Sequence, residues 1–137
     1  MGKHRSYKRF IGYSTAFRQW KADSHCSTLH GYAFCFKVWF EGELDDNGWV
    51  IDFGCFKRNG VKEWMNNMFD HTTCVSADDP ELEIFEEMDD RGIIDLRVFE
   101  DGVGCEKFAQ YVAEYLNGIV QEDTDNRVSV YKVQCWE

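Results

Sequence analysis

CSTLHGYAFCFKVWF, residues 26–40, is the most strongly patterned stretch of the chain, and it sets the fold class. His30, Tyr32, Phe34, Phe36, Val38 and Phe40 fall on one face at period two, which predicts a half-buried strand over residues 30–40. Upstream, residues 7–18 carry β-branched and aromatic residues in loose alternation and predict a first strand. Downstream, DDNG at residues 45–48 is a turn signal, and residues 49–52 are expected to return as a short strand, closing a hairpin.

The period then changes. Val61, Trp64, Met65, Met68 and Phe69 follow i, i+3, i+4, i+7, i+8, the apolar stripe of a core-facing helix. Asp79-Pro80 reads as an N-cap followed by a first-turn proline, opening an acidic helix with Leu82, Phe85 and Met88 that Gly92 ends. Residues 93–99 predict a strand. Phe108, Val112, Tyr115, Leu116 and Ile119 predict a helix closing near Gly118, and residues 127–136 a last strand. This order predicts one α+β domain over residues 1–137, with an antiparallel four-stranded sheet and helices packed on one face. The open edges of such a sheet favour self-association.

Composition narrows the function classes. The 137 residues hold 15 Lys+Arg against 25 Asp+Glu, a formal net charge of −10, which argues against a general nucleic-acid or anionic-membrane binder. No apolar run approaches the length of a membrane span, and the start MGKHR lacks the apolar stretch of a signal peptide, so a cytoplasmic protein is expected. The six cysteines are scattered with no CxxC pair, and free thiols are expected. Lys3, Arg5, Lys8, Arg9, Arg18 and Lys21 all precede the first acidic residue, Asp23. That local positive segment is either a solvated strand face or a site for an anion, with Arg9, Arg18 or Lys21 as its donors.

Three of the four histidines have chemically useful neighbours. His25 and Cys26 lead within a few residues to His30, and Asp70-His71 follows the first predicted helix. A thiol near an imidazole that a carboxylate orients can pass its proton and act as base or nucleophile. Spacing alone does not bring Cys26 and His71 together.

Taken in register, these pieces resemble the 6-pyruvoyl-tetrahydropterin and 6-carboxytetrahydropterin synthase family. Tyr13 to Phe17 matches its Phe-x-Ala-Ala-His strand, and Cys26 to Tyr32 its Cys-x-x-x-His-Gly-His segment. Gly48 to Phe53 matches Gly-x-Val-x-Asp-Phe, Phe69 to His71 matches Leu-Asp-His, and Val103 to Glu106 stands at Pro-Thr-x-Glu. Glu137 falls on the glutamate of the closing strand. The resemblance implies the tunnelling fold, and a homohexamer of two trimers whose sheets join into a barrel with sites between subunits. It implies a lyase acting on 7,8-dihydroneopterin triphosphate with triphosphate elimination, in a queuosine or tetrahydrobiopterin pathway, with no organic cofactor. Cys26 would be the base or nucleophile, with Asp70 and His71 relaying the proton. Glu137 would anchor the pterin, and Glu106, Cys105 and Arg18 are further substrate contacts. A pterin- or purine-binding protein that has lost the metal-dependent step, or a dihydroneopterin aldolase-like activity, are the alternatives.

The family holds zinc with three histidines, whose positions here are Phe17, His30 and Tyr32. Residues two apart on a strand share a face, which explains the spacing, but a phenylalanine cannot ligate and a neutral tyrosine is an unusual zinc ligand. The metal site is therefore either lost, or rebuilt around His30 with His25, Cys26 or His71, or filled only with substrate.

Overall fold

β1 (His4–Phe17) and β2 (His30–Gly42) are the two long strands of the computed structural model, which describes residues 2–137; Met1 of the basic start lies outside them. They pair antiparallel from His4↔Gly42 to Phe17↔His30, with an extra residue in β1 between Phe10 and Tyr13. Gly12 occupies that bulge at φ +85°, a conformation that would strain any side chain. The extra residue resets the alternation, so Phe10 is buried on one side of the bulge and Tyr13, Thr15 and Phe17 on the other. They join Phe34, Phe36, Val38 and Phe40 of β2, all four fully buried.

α1 (Gly54–Arg58), α2 (Val61–Phe69), β3 (Thr72–Ser76), α3 (Leu82–Asp90), β4 (Leu96–Phe99), α4 (Cys105–Asp123) and β5 (Val128–Trp136) complete the chain. The sheet has five strands in the order β4-β3-β1-β2-β5. β2 is antiparallel to β1 and β5, whereas β3 runs parallel to both β1 and β4. The fold is α+β as expected, but the sheet is mixed and five-stranded rather than four-stranded and antiparallel. The missed strand is β3. All five of its residues are buried, so it lacks the polar–apolar alternation that marks a half-exposed strand. Burial on both faces requires cover on both. α3, which packs against β3 and β4, is placed to supply the second cover, and Val75 and Phe85 are buried there outside the main core.

Elsewhere local signals and structure part company. The expected strand at residues 49–52 does not form. Asp45 Oδ1 accepts from the Asn47 and Trp49 N–H groups, and Arg127 Nη1 reaches Val50 O at 2.9 Å, so side chains satisfy backbone that a ladder would otherwise pair. Asp79 does not cap α3 directly; its Oδ1 accepts from Glu81 N–H at 2.9 Å and the helix begins at Leu82. β4 starts three residues later than predicted, and α4 runs past Gly118 to Asp123, burying Val120 on its inner face.

The main core joins the inner faces of β1 and β2 to Cys55 and Phe56 of α1, Val61, Met65 and Phe69 of α2, and Phe108, Val112, Leu116 and Val120 of α4. Aromatic rings continue this core to the ends of β1 and β2, where Phe108 meets both Phe17 and Phe34 edge-on.

Candidate functional site

Three segments meet at the Phe17/His30 end of the sheet. The loop between β1 and β2 makes one 3-10 turn, His25–Ser27, whose Ser24 Oγ accepts from Cys26 N–H. Gln19 N–H donates to Cys26 O at 2.8 Å, and Gln19 Nε2 donates to Val103 O at 2.7 Å, tying the Cys26 loop to the start of α4. Gly104, at φ +121°, makes that approach possible, because a Cβ there would lie 2.6 Å from Gln19 Nε2. β5 pairs with β2 up to Cys35↔Trp136, so Glu137 emerges beside the first residues of β2.

Tyr32 stands among these groups. Its phenol is pushed up by burial, and then by the negative charge of Glu137, Cys26 and Cys105. Cys105 is raised by burial and by Glu106 and Glu137, opposed by its interaction with Cys135. Cys105, Glu106 and Cys135 also line one cavity of about 480 Å³ between α4 and β5. Cys26, Tyr32, Cys105, Glu106 and Glu137 are thus gathered at one end of the sheet, on elements far apart in sequence. Among the described residues no disulfide joins any two cysteines.

Asp70 and His71 lie elsewhere. Asp70 Oδ1 accepts from Ser14 N–H at 3.1 Å and stands 3.1 Å from His71 Nδ1. The Ser14 bond, then His71, holds the Asp70 carboxyl below its ordinary value. His71 has φ +58°, anchored by its own N–H on Ser14 O at 2.6 Å, and its side chain is 84% exposed. It lines a cleft with Ser14, Thr15 and Ala16 of β1 and Gly31 of β2; of these Ser14 and Ala16 alternate with the buried Tyr13, Thr15 and Phe17. Among the described residues no hydrogen bond joins Asp70 or His71 to Cys26, so one chain does not assemble the thiol–imidazole–carboxylate set by itself.

Of the basic residues, Arg18 is held by Asp79 through Nε at 2.9 Å and Nη2 at 2.6 Å, with Nη1 3.4 Å from Ser27 O. Lys21 pairs with Asp78 at 3.4 Å. Arg9 lines a cavity of about 700 Å³ together with Lys8, Lys57, Lys62 and Asp70. Lys57 and Lys62 carried no sequence signal, because helix-surface lysines are common and only the packing of α1 and α2 against β1 turns them to one cleft.

The residues present do not fit a zinc ion. Phe17 is buried and stacked on Tyr32 (centroids 4.7 Å, 22°) and on Phe34 (5.7 Å, 27°), so aromatic packing occupies the place of one ligand. His30 Nδ1 lies 2.6 Å from Thr28 O, and the Tyr32 hydroxyl is hydrogen-bonded to His30 Nε2. The His25 ring is 6.4 Å from that of His30. Among the described residues no group of three or more His, Cys, Asp or Glu side chains is spaced to hold a metal.

Residues 7–137 match the family described as 6-pyruvoyl tetrahydropterin synthase. A Pyrococcus horikoshii protein named for 6-carboxy-5,6,7,8-tetrahydropterin synthase is 29% identical over 133 residues, covering 90% of this chain and 78% of that one. A Rickettsia conorii 6-carboxy-5,6,7,8-tetrahydropterin synthase is 31% identical over 75 residues, 54% of each chain. Among solved structures, an uncharacterized protein of Wolinella succinogenes superposes with TM-score 0.81 at 20% identity, covering 98% of this chain and 93% of that one. Plasmodium vivax 6-pyruvoyltetrahydropterin synthase superposes with TM-score 0.61 at 14% identity, covering 98% and 99%. No helix among the described residues is long and apolar enough to cross a membrane.

Proposed function

The chain belongs to the 6-pyruvoyl tetrahydropterin synthase family, and from that premise we propose that it is a tetrahydropterin synthase-like carbon–oxygen lyase acting on 7,8-dihydroneopterin triphosphate. The observation that supports this best is the gathering of Cys26, Cys105, Glu106 and Glu137 around Tyr32. The Glu137 carboxylate accepts from the pterin's amino group and ring N–H, a pairing two carboxylate oxygens make bidentately. Cys105 and Glu106 contact the ring from the start of α4. Cys26 removes a proton from the substrate's side chain, after which triphosphate leaves.

Asp70 and His71 reach that thiol from a second copy of the chain, because within one copy no hydrogen bond among the described residues joins them to Cys26 and His71 lines a separate cleft with Ser14, Ala16 and Gly31. The working unit is therefore an oligomer, a homohexamer of two trimers with sheets joined edge to edge. Arg9, with Lys8, Lys57 and Lys62 in the same cleft beside Asp70, supplies the positive charge for the triphosphate. Arg18 serves the site by holding Ser27 of the Cys26 loop.

Incubation with 7,8-dihydroneopterin triphosphate, with triphosphate release followed, tests this reading. The wild type should turn over, and Cys26→Ala should lose turnover while keeping pterin affinity within about twofold. A fully active Cys26→Ala variant refutes the role of the thiol. The Phe17–Tyr32 stack favours a second reading, a pterin-binding protein without turnover. Tight binding of 7,8-dihydroneopterin with no product would establish it instead.

A further inference from the structure

We propose that this chain has exchanged its family's metal for a hydrogen-bonding couple, Tyr32 oriented by His30, which selects a ligand whose side chain carries a hydroxyl group. The ligand's pterin ring is taken from the function proposed above; the couple itself follows from the geometry at the end of β2. A carbonyl oxygen only accepts, so the 2.6 Å contact with Thr28 O fixes the proton of His30 on Nδ1. The neutral ring then has one lone pair, on Nε2, and the Tyr32 hydroxyl donates into it. Nε2, the nitrogen a metal would take from a ring held this way, is occupied by the Tyr32 hydroxyl. Phe17 closes the space from the other side by stacking on the Tyr32 ring.

The consequence is a change in what the site recognises. A cation takes any oxygen lone pair, whether of a hydroxyl, an alkoxide or a ketone. The Tyr32 O–H keeps its proton and points it at His30 Nε2, so toward a ligand its oxygen has only acceptor capacity; it rewards a ligand O–H and gains nothing from a carbonyl. Serving as a metal ligand would require Tyr32 to ionise, which its burial and the neighbouring Glu137, Cys26 and Cys105 oppose.

Tyr32→Phe keeps the ring stack and removes only the hydroxyl. It should weaken binding of 7,8-dihydroneopterin by about three- to tenfold, the worth of one hydrogen bond, and leave 6-methyl-7,8-dihydropterin unchanged. Equal weakening of both pterins, or of neither, overturns the selectivity. Two arms need no pterin. Protein equilibrated with zinc and desalted should retain far less than one equivalent, whereas stoichiometric zinc lost in His30→Ala overturns the exchange. Nitrogen-15 NMR of His30 should show the Nδ1–H tautomer, with Nε2 shifted in Tyr32→Phe; an Nε2–H tautomer overturns the couple. A wild type that binds neither pterin refutes the proposed function and the selectivity with it, while the zinc and NMR arms still decide the couple.

Discussion

Replacing Asp79 with Asn should unfasten the ion pair on which the Cys26 loop depends. The Asp79 side chain is 1% exposed and accepts from Arg18 Nε, Arg18 Nη2 and Glu81 N–H, at 2.9, 2.6 and 2.9 Å. Asparagine removes the charge and turns one acceptor into a donor that faces a guanidinium. Losing one member of a buried pair costs about 3–5 kcal/mol. Arg18 retains 22% exposure, so water recovers part of that, and about 2–3 kcal/mol is expected. With a urea m-value of about 2 kcal/mol/M, the unfolding midpoint followed by tryptophan fluorescence should fall by about 1–1.5 M at neutral pH. Burial pushes the Asp79 carboxyl up, but Arg18 and the Glu81 N–H outweigh it and leave the group below its ordinary value. Between the folded and ordinary values the unfolded chain holds the extra proton, so stability rises with pH through that window. The gap between wild type and Asp79→Asn should thus be full above the ordinary carboxylate range and close as pH falls through the folded value. Arg18 Nη1 lies 3.4 Å from Ser27 O, so alkylation of Cys26, mapped by peptide mass spectrometry, should also quicken. A midpoint within about 0.3 M of wild type at neutral pH would refute the reasoning.

Two further variants separate fold from chemistry at the other site positions. His71→Gly accommodates φ +58° without a Cβ, so the unfolding free energy should hold or rise by up to about 1 kcal/mol while turnover falls by about 100-fold or more. A marked loss of stability would show that the exposed imidazole has a structural role. Gly104→Ala places a Cβ 2.6 Å from Gln19 Nε2 at a left-handed φ, and should cost about 1–3 kcal/mol in thermal unfolding. It should lower turnover too, since Gln19 bridges Val103 O and Cys26 O; an unperturbed melt and full activity would contradict that bridge.

The sequence by itself determined the elements that have one wet face. β2 and the stripes of α2 and α4 were legible because burial on a single face writes a period of 2 or 3.6 into the residues. The residues proposed for the site, Cys26, His30, Tyr32, Asp70, His71, Cys105, Glu106 and Glu137, were likewise named from the sequence, because the family resemblance carries them in motif order. Only the tertiary structure decided the rest. β3 is buried on both faces and leaves no alternation to read. The bulge at Gly12 shifts β1 by one residue, so that Phe10 and Tyr13 share a face no fixed period would give them. Within one copy no hydrogen bond among the described residues joins Cys26 to His71, whose exposed ring lines a cleft with Ser14, Ala16 and Gly31. The fate of the metal position was likewise a matter of packing. The letters Phe17 and Tyr32 record that two histidines are absent, but the stack of their rings and the hydrogen bond from Tyr32 to His30 define what stands in their place.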